Sequence, residues 1–158
     1  MKTGEIIHGF KFIRSRELAD ISASEISLKT STGDMNLRAI SCDGNLSVKV
    51  SSGSVEMESV SCKSFSSTGN TGSIEMARLI ASESISIKRS TGDVEFEACD
   101  ASEITVTTGT GDVCGSLLSE KIFVTQTSTG DVRVPSNMSG GTCTVTTSTG
   151  DIEFNIKN

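Results

Sequence analysis

Apolar and polar residues alternate along most of the chain, and the alternation is interrupted at even intervals by a short turn sequence. The turn reads Ser31-Thr32-Gly33-Asp34, Ser90-Thr91-Gly92-Asp93, Ser128-Thr129-Gly130-Asp131 and Ser148-Thr149-Gly150-Asp151, with Gly109-Thr110-Gly111-Asp112 a close relative. Ser52-Gly53-Ser54 and Thr71-Gly72-Ser73 are weaker copies, so glycines mark positions 33, 53, 72, 92, 111, 130 and 150 at steps of 19 or 20 residues. Two and four residues after the glycine stand apolar pairs: Met35 and Leu37, Val55 and Met57, Ile74 and Met76, Val94 and Phe96, Val132 and Val134, Ile152 and Phe154. Only Val113 with Gly115 breaks this rule. Seven and five residues before it stand Ile26 and Leu28, Leu46 and Val48, Ile85 and Ile87, Ile104 and Val106, and Cys143 and Val145. Period-two alternation of this kind predicts strands with one buried face. A single apolar residue between strands, Ile40, Val60, Leu79, Cys99 or Leu118, predicts an inward-pointing corner.

A two-strand unit cannot bury its apolar face alone, so units stack. The expected fold is all-β: a single-domain parallel β-solenoid (β-helix) of about seven coils of 19–20 residues, wound right-handed, over residues 21–158. Residues 1–20 fall outside the repeat and are expected to form an N-terminal cap. Around Phe123 the alternation reads equally well with Ile122 and Val124 inward, which suggests a bulge. Ser67 and Gly69-Asn70 interrupt the pattern and suggest a locally loose coil. The coil begun by Asp151 stops at Asn158 and leaves an open rung, expected either to associate end to end or side by side with a further copy of the chain or to continue in a longer protein.

Composition agrees with the pattern and narrows the function. Ile and Val far outnumber Leu, there are 15 Gly and one Pro, and Trp and Tyr are absent. The net charge of −6 argues against a nucleic-acid partner, whose phosphates draw on clustered Lys and Arg. No apolar run approaches the ~20 residues of a membrane-spanning helix, and no signal-peptide pattern opens the chain. Five cysteines, Cys42, Cys62, Cys99, Cys114 and Cys143, form no CxxC or Cys/His cluster. They are expected as free, mostly buried thiols, which together with the opening sequence suggests a cytoplasmic setting, or a cell-surface one within a longer protein.

The repeated [Ser/Thr]-Thr-Gly-Asp-[Val/Ile] unit, preceded by Ile-x-[Val/Ile/Leu], resembles an adhesin-type family of bacterial domains of unknown function over roughly residues 21–156. That resemblance implies a β-helix-like solenoid, common in cell-envelope proteins, and carries over no catalytic residues. It favours a non-catalytic binding or adhesion-type module with a protein or envelope partner. The alternative is a self-assembling scaffold joined through its open end.

Four residue sets are weighed for chemistry. Asp93, Asp112, Asp131 and Asp151, with Asp34 further along, form a column expected on four consecutive coils; with one carboxylate per coil, turn capping is preferred over a cation site. Thr105, Thr107, Thr125, Thr127, Thr144 and Thr146 are expected as an outward row of solvated strand residues. Glu56, Glu75 and Glu95 align on an outer face, expected to be convex, without aromatic platforms for a sugar. Cys42 and Cys62 occupy equivalent positions one coil apart, and His8 reads as a cap or surface residue. No nucleophile, base and orienting group assemble in the repeat frame, so no enzyme, cofactor or metal site is expected.

Overall fold

The structure is a computed structural model, describing residues 10–12, 16–136 and 139–156. In chain order the strands are β1 (Phe10–Phe12), β2 (Arg16–Ala23), β3 (Ile26–Thr32), β4 (Met35–Cys42), β5 (Asn45–Ser52), β6 (Val55–Thr71), β7 (Ile74–Thr91), β8 (Val94–Cys99), β9 (Glu103–Thr110), β10 (Val113–Leu117), β11 (Lys121–Thr129), β12 (Val132–Arg133), β13 (Gly141–Thr149) and β14 (Ile152–Ile156). They form two parallel ladders wrapped around one core. One runs β1-β3-β5-β6-β7-β9-β13-β11. The other runs β2-β4-β6-β7-β8-β10-β14-β12. Strands β6 and β7 are long enough to serve both. The fold is the expected parallel β-solenoid; its seven stacked glycines bound six complete turns.

Each turn is held to the next by the same bonds. The Gly33 N–H donates to the Ser52 carbonyl at 3.0 Å, and Met35 N–H to the Ser54 carbonyl at 2.9 Å; Gly53, Gly72 and Gly92 repeat the first bond along the axis. Glycine is required because the turn needs positive φ and because turns stack in near contact. A Cβ on Gly53, at φ 143°, would lie 2.1 Å from the Gly33 carbonyl oxygen.

The core is the column of inward residues that the alternation identified. Ile26, Leu46, Phe65, Ile85, Ile104 and Cys143 on the first ladder face Met35, Val55, Ile74, Val94, Val113 and Ile152 on the second, all buried. A fully buried Val, Leu, Ile or Phe contributes about 1.5–3 kcal/mol, and repetition over the rungs makes this the dominant favourable term. Strand β2, residues 16–23, pairs along its length with β4; the expected cap over residues 1–20 lies mostly outside the described residues.

The order of the last rungs departs from the expected one. The final coil, β13 and β14, does not sit at the end: β13 pairs with both β9 and β11, and β14 with both β10 and β12. It is inserted between its two predecessors in sequence, so the outermost rung is β11 and β12. The reason lies at Gly115, where a Cβ would lie 2.0 Å from the Phe96 carbonyl oxygen and no side chain fits. The empty place in that rung is filled from the neighbouring coil: the Phe154 ring reaches across to Phe96, centroids 5.5 Å apart, and also packs on Phe123 at 5.6 Å. Val134, the corresponding residue of the penultimate coil, is too short to do this.

Three smaller expectations change as well. Phe123 takes the inward register opposite Cys143, with no bulge in β11, so Thr125 and Thr127 face inward and only Thr105, Thr107, Thr144 and Thr146 remain in the outward row. The ladder shifts register between Gly115 and Leu117 instead, which makes Leu117 the buried corner residue and leaves Leu118 39% exposed. The Ser67 coil is not loose: β6 is continuous through it, Ser67 is buried, and Gly69 gives the Arg89 guanidinium room to lie against the backbone.

Candidate interaction surface

The aspartate column is a set of inter-coil clamps. Asp34 Oδ1 accepts the Ser54 N–H at 2.9 Å, Asp93 Oδ1 that of Asp112 at 2.9 Å, Asp112 Oδ1 that of Asp151 at 2.9 Å, and Asp151 Oδ1 that of Asp131 at 2.8 Å. The order is therefore 93, 112, 151, 131. Each carboxylate neutralises a turn donor of the following rung, which also offsets repulsion along the column. Asp131, on the outermost rung, meets no further turn among the described residues. No three His, Cys, Asp or Glu side chains gather as a cation-holding group among them.

Glu56, Glu75 and Glu95 do stand in register on the second ladder. The surface there is grooved, not convex. Ala39, Ser59, Arg78 and Ala98 adopt left-handed backbone, φ 52–56°, at one place in four successive coils, and the ladder bends at each. The resulting groove, about 290 Å³, is lined by these glutamates with Glu58, Glu97, Asn36 and Arg38. Arg78 bonds Glu58 at 2.9 Å, and Arg38 lies 3.9 Å from the same carboxylate.

The thiols are free, and Cys42, Cys62, Cys99 and Cys143 are buried. Burial pushes the Cys62 thiol, next to Cys42, up to about 12. Burial likewise pushes Cys143 up to about 12, against the nearby Lys121 charge. Neither is a nucleophile near neutral pH. His8 lies outside the described residues.

Two polar groups that the alternation could not reveal lie inside. Lys121 is 2% exposed; its Nζ donates to Asp100 Oδ1 at 2.7 Å and to Ser119 Oγ, while Ser119 Oγ donates to Asp100 at 2.7 Å. Burial works against the Asp100 carboxylate, but the hydrogen bonds from Lys121 and Ser119 and the Lys121 charge outweigh it and hold its pKa below the usual value. This cluster sits where the chain climbs past the inserted coil, and ties β11 to the rung before it. Arg89 is the other: it is 3% exposed, and its guanidinium nitrogens have no hydrogen-bond partner among the described residues.

Exposed apolar residues concentrate on the outermost rung. The outward column of the first ladder reads Ser27, Ser47, Ser66, Ser86, Thr105 and Thr144, then turns to Val124 on β11. Ile122, Val124 and Val132 are 40%, 53% and 42% exposed. Of the two edges on that rung, one is blunted: β12 has two residues and Pro135 follows shortly after it. The other is not. β11 runs nine residues, contains no proline, and carries no charge after Lys121, which is already engaged with Asp100.

The sequence profile of Toastrack DUF4097 matches residues 60–158. The chain belongs to this family. Toastrack DUF4097 is a β-solenoid-type domain of unknown function and not a known enzyme family, which agrees with the architecture. No curated protein and no solved structure matches the chain. The Toastrack match begins at Val60, yet the same coil geometry extends on its N-terminal side through β3, β4 and β5.

Proposed function

We propose that this Toastrack domain is a non-catalytic interaction module that takes up a protein strand along the free edge of β11. The observation that carries this reading is the change in the outward column from Ser and Thr to Val124 on β11, a nine-residue edge without proline or free charge among the described residues. Such an edge offers a row of unpaired N–H and C=O groups, and an added strand gains main-chain hydrogen bonds together with burial of Ile122 and Val124. The glutamate groove faces a different side of the rod and is independent of this contact.

An adhesion-type role, favoured by the sequence resemblance, is the case in which the strand comes from an envelope protein. The scaffold reading is the case in which it comes from the same chain. Unreactive, buried thiols suit a reducing compartment. The test is affinity purification from the source cells with the wild-type chain, Val124→Lys and Glu75→Lys. Proteins recovered with wild type and Glu75→Lys but lost with Val124→Lys are expected. Equal recovery with all three overturns the edge as the binding surface.

A further inference from the structure

Two buried polar side chains lie inside the rod where β6 stacks on β7. Ser67 is 1% exposed and Arg89 3%, and neither the Ser67 hydroxyl nor any guanidinium nitrogen has a hydrogen-bond partner among the described residues. We propose that they hold a halide ion, chloride under ordinary conditions, enclosed in the interior between these two strands.

Register brings the two side chains to one place. Gly69 is opposite Arg89 in the ladder, and Ser67 stands two residues earlier on the same inward face of β6. The guanidinium leans from β7 toward that face, since a Cβ on Gly69 would lie 2.4 Å from Arg89 Nη1. Room for an ion comes from the sequence. On the adjoining rungs Val48 and Ile87 stand where β6 has Ser67, and Val50 stands where it has Gly69. The interior of β6 therefore lacks methyl groups that its neighbours have.

Charge selects the occupant. A guanidinium keeps its proton inside a protein, so the cost of burying it is not relieved by neutralisation. Burial is what disfavours the Arg89 charge, and no carboxylate among the described residues is bonded to it. Guanidinium N–H groups and the Ser67 O–H are donors in search of an acceptor. Water accepts the same hydrogen bonds but leaves the buried charge uncompensated, whereas an anion answers both needs. With rungs ~4.8 Å apart and both side chains shut off from solvent, a monatomic ion fits the space of the missing methyl groups better than a carboxylate or phosphate.

The test is thermal melting of the full chain with chloride varied from about 1 to 300 mM at constant ionic strength, sodium gluconate replacing sodium chloride. The wild-type midpoint is expected to rise with chloride by about 2–4 °C across the series, because an ion bound only by the folded chain stabilises it by mass action. Arg89→Met, which removes the charge, and Ser67→Val, which fills the space, are each expected to lose that dependence. Crystals of the wild-type chain in sodium bromide are expected to show an anomalous peak between Ser67 Oγ and the Arg89 guanidinium. A chloride dependence equal in wild type and Arg89→Met overturns the site, as does ordered water alone at that place in the bromide crystal. A bromide peak without chloride-dependent melting marks an adventitious ion only and overturns it too. Strand docking at β11 is decided separately, by the Val124→Lys purification.

Discussion

Arg89 illustrates how much a single inward position can carry. In the same column Thr108 donates its hydroxyl to the Gly92 carbonyl, Thr147 to that of Gly111 and Thr127 to that of Gly150, so a short polar side chain closes the adjacent turn. Arg89 stands in that column with a buried guanidinium that has no partner among the described residues and whose charge burial disfavours. Replacing a buried ion by an apolar side chain of similar volume is commonly neutral or stabilising. In chloride-free buffer Arg89→Met is therefore expected to raise the melting temperature, by on the order of 1 kcal/mol of stability; a drop there would mean that the guanidinium has a partner other than a halide in solution. Asp100 behaves oppositely. Its folded pKa is depressed, so its contribution is fully present above the unfolded value and is lost as pH falls through the depressed folded value. Acid titration of stability should show this loss below the usual aspartate range, and Asp100→Asn should remove the dependence. Asp100→Asn should also cost about 2 kcal/mol at neutral pH, because Lys121 keeps a buried charge and loses its counterion.

At the scale of elements, the strands follow directly from period-two alternation, because Ile, Val and Phe at every second place can be buried only on one face. Elements stop being legible where the local pattern permits two registers. Ile122, Phe123 and Val124 are all apolar, so alternation alone does not choose the inward residue; packing against Phe154 does. The Gly115 rung is similar: missing an apolar residue, it reads as a defect until Phe154 is seen to occupy the space. Phe154→Ala is expected to cost about 3–5 kcal/mol, measured by chemical denaturation. Ala39→Gly should instead stabilise by several tenths to about 1 kcal/mol, since left-handed backbone strains a Cβ-bearing residue and the gain is partly offset by unfolded-chain entropy.

For the whole molecule, the inserted final coil acts as a keystone. β11 and β12 are attached through β13 and β14, not directly to β9 and β10. Removing residues 139–158 should therefore release the outermost rung as well, exposing Gly115 and the Phe96 ring. Hydrogen exchange on the shortened chain is expected to show loss of protection from residue 121 onward, with the rungs before β10 retained; protection at β11 equal to that in the full chain would show that it restacks on β9. The candidate interaction surface depends on the same arrangement, since β11 is an edge only because the last coil lies inside it.

The sequence by itself determined the coil: its length, its strands, its glycine turns and the residues that fill its interior, because each follows from contacts repeated at one period. It also carried the free thiols and the aspartate clamps as types of interaction. Rung order was decided only in the tertiary structure. Every unit presents nearly the same strands to its neighbours, so local pattern is indifferent to which coil stacks on which; the choice came from non-repeating contacts, the vacancy at Gly115 filled by Phe154 and the Lys121–Asp100 pair spanning the climb. The location of the exposed edge, and with it the surface on which the proposed function rests, followed from that choice.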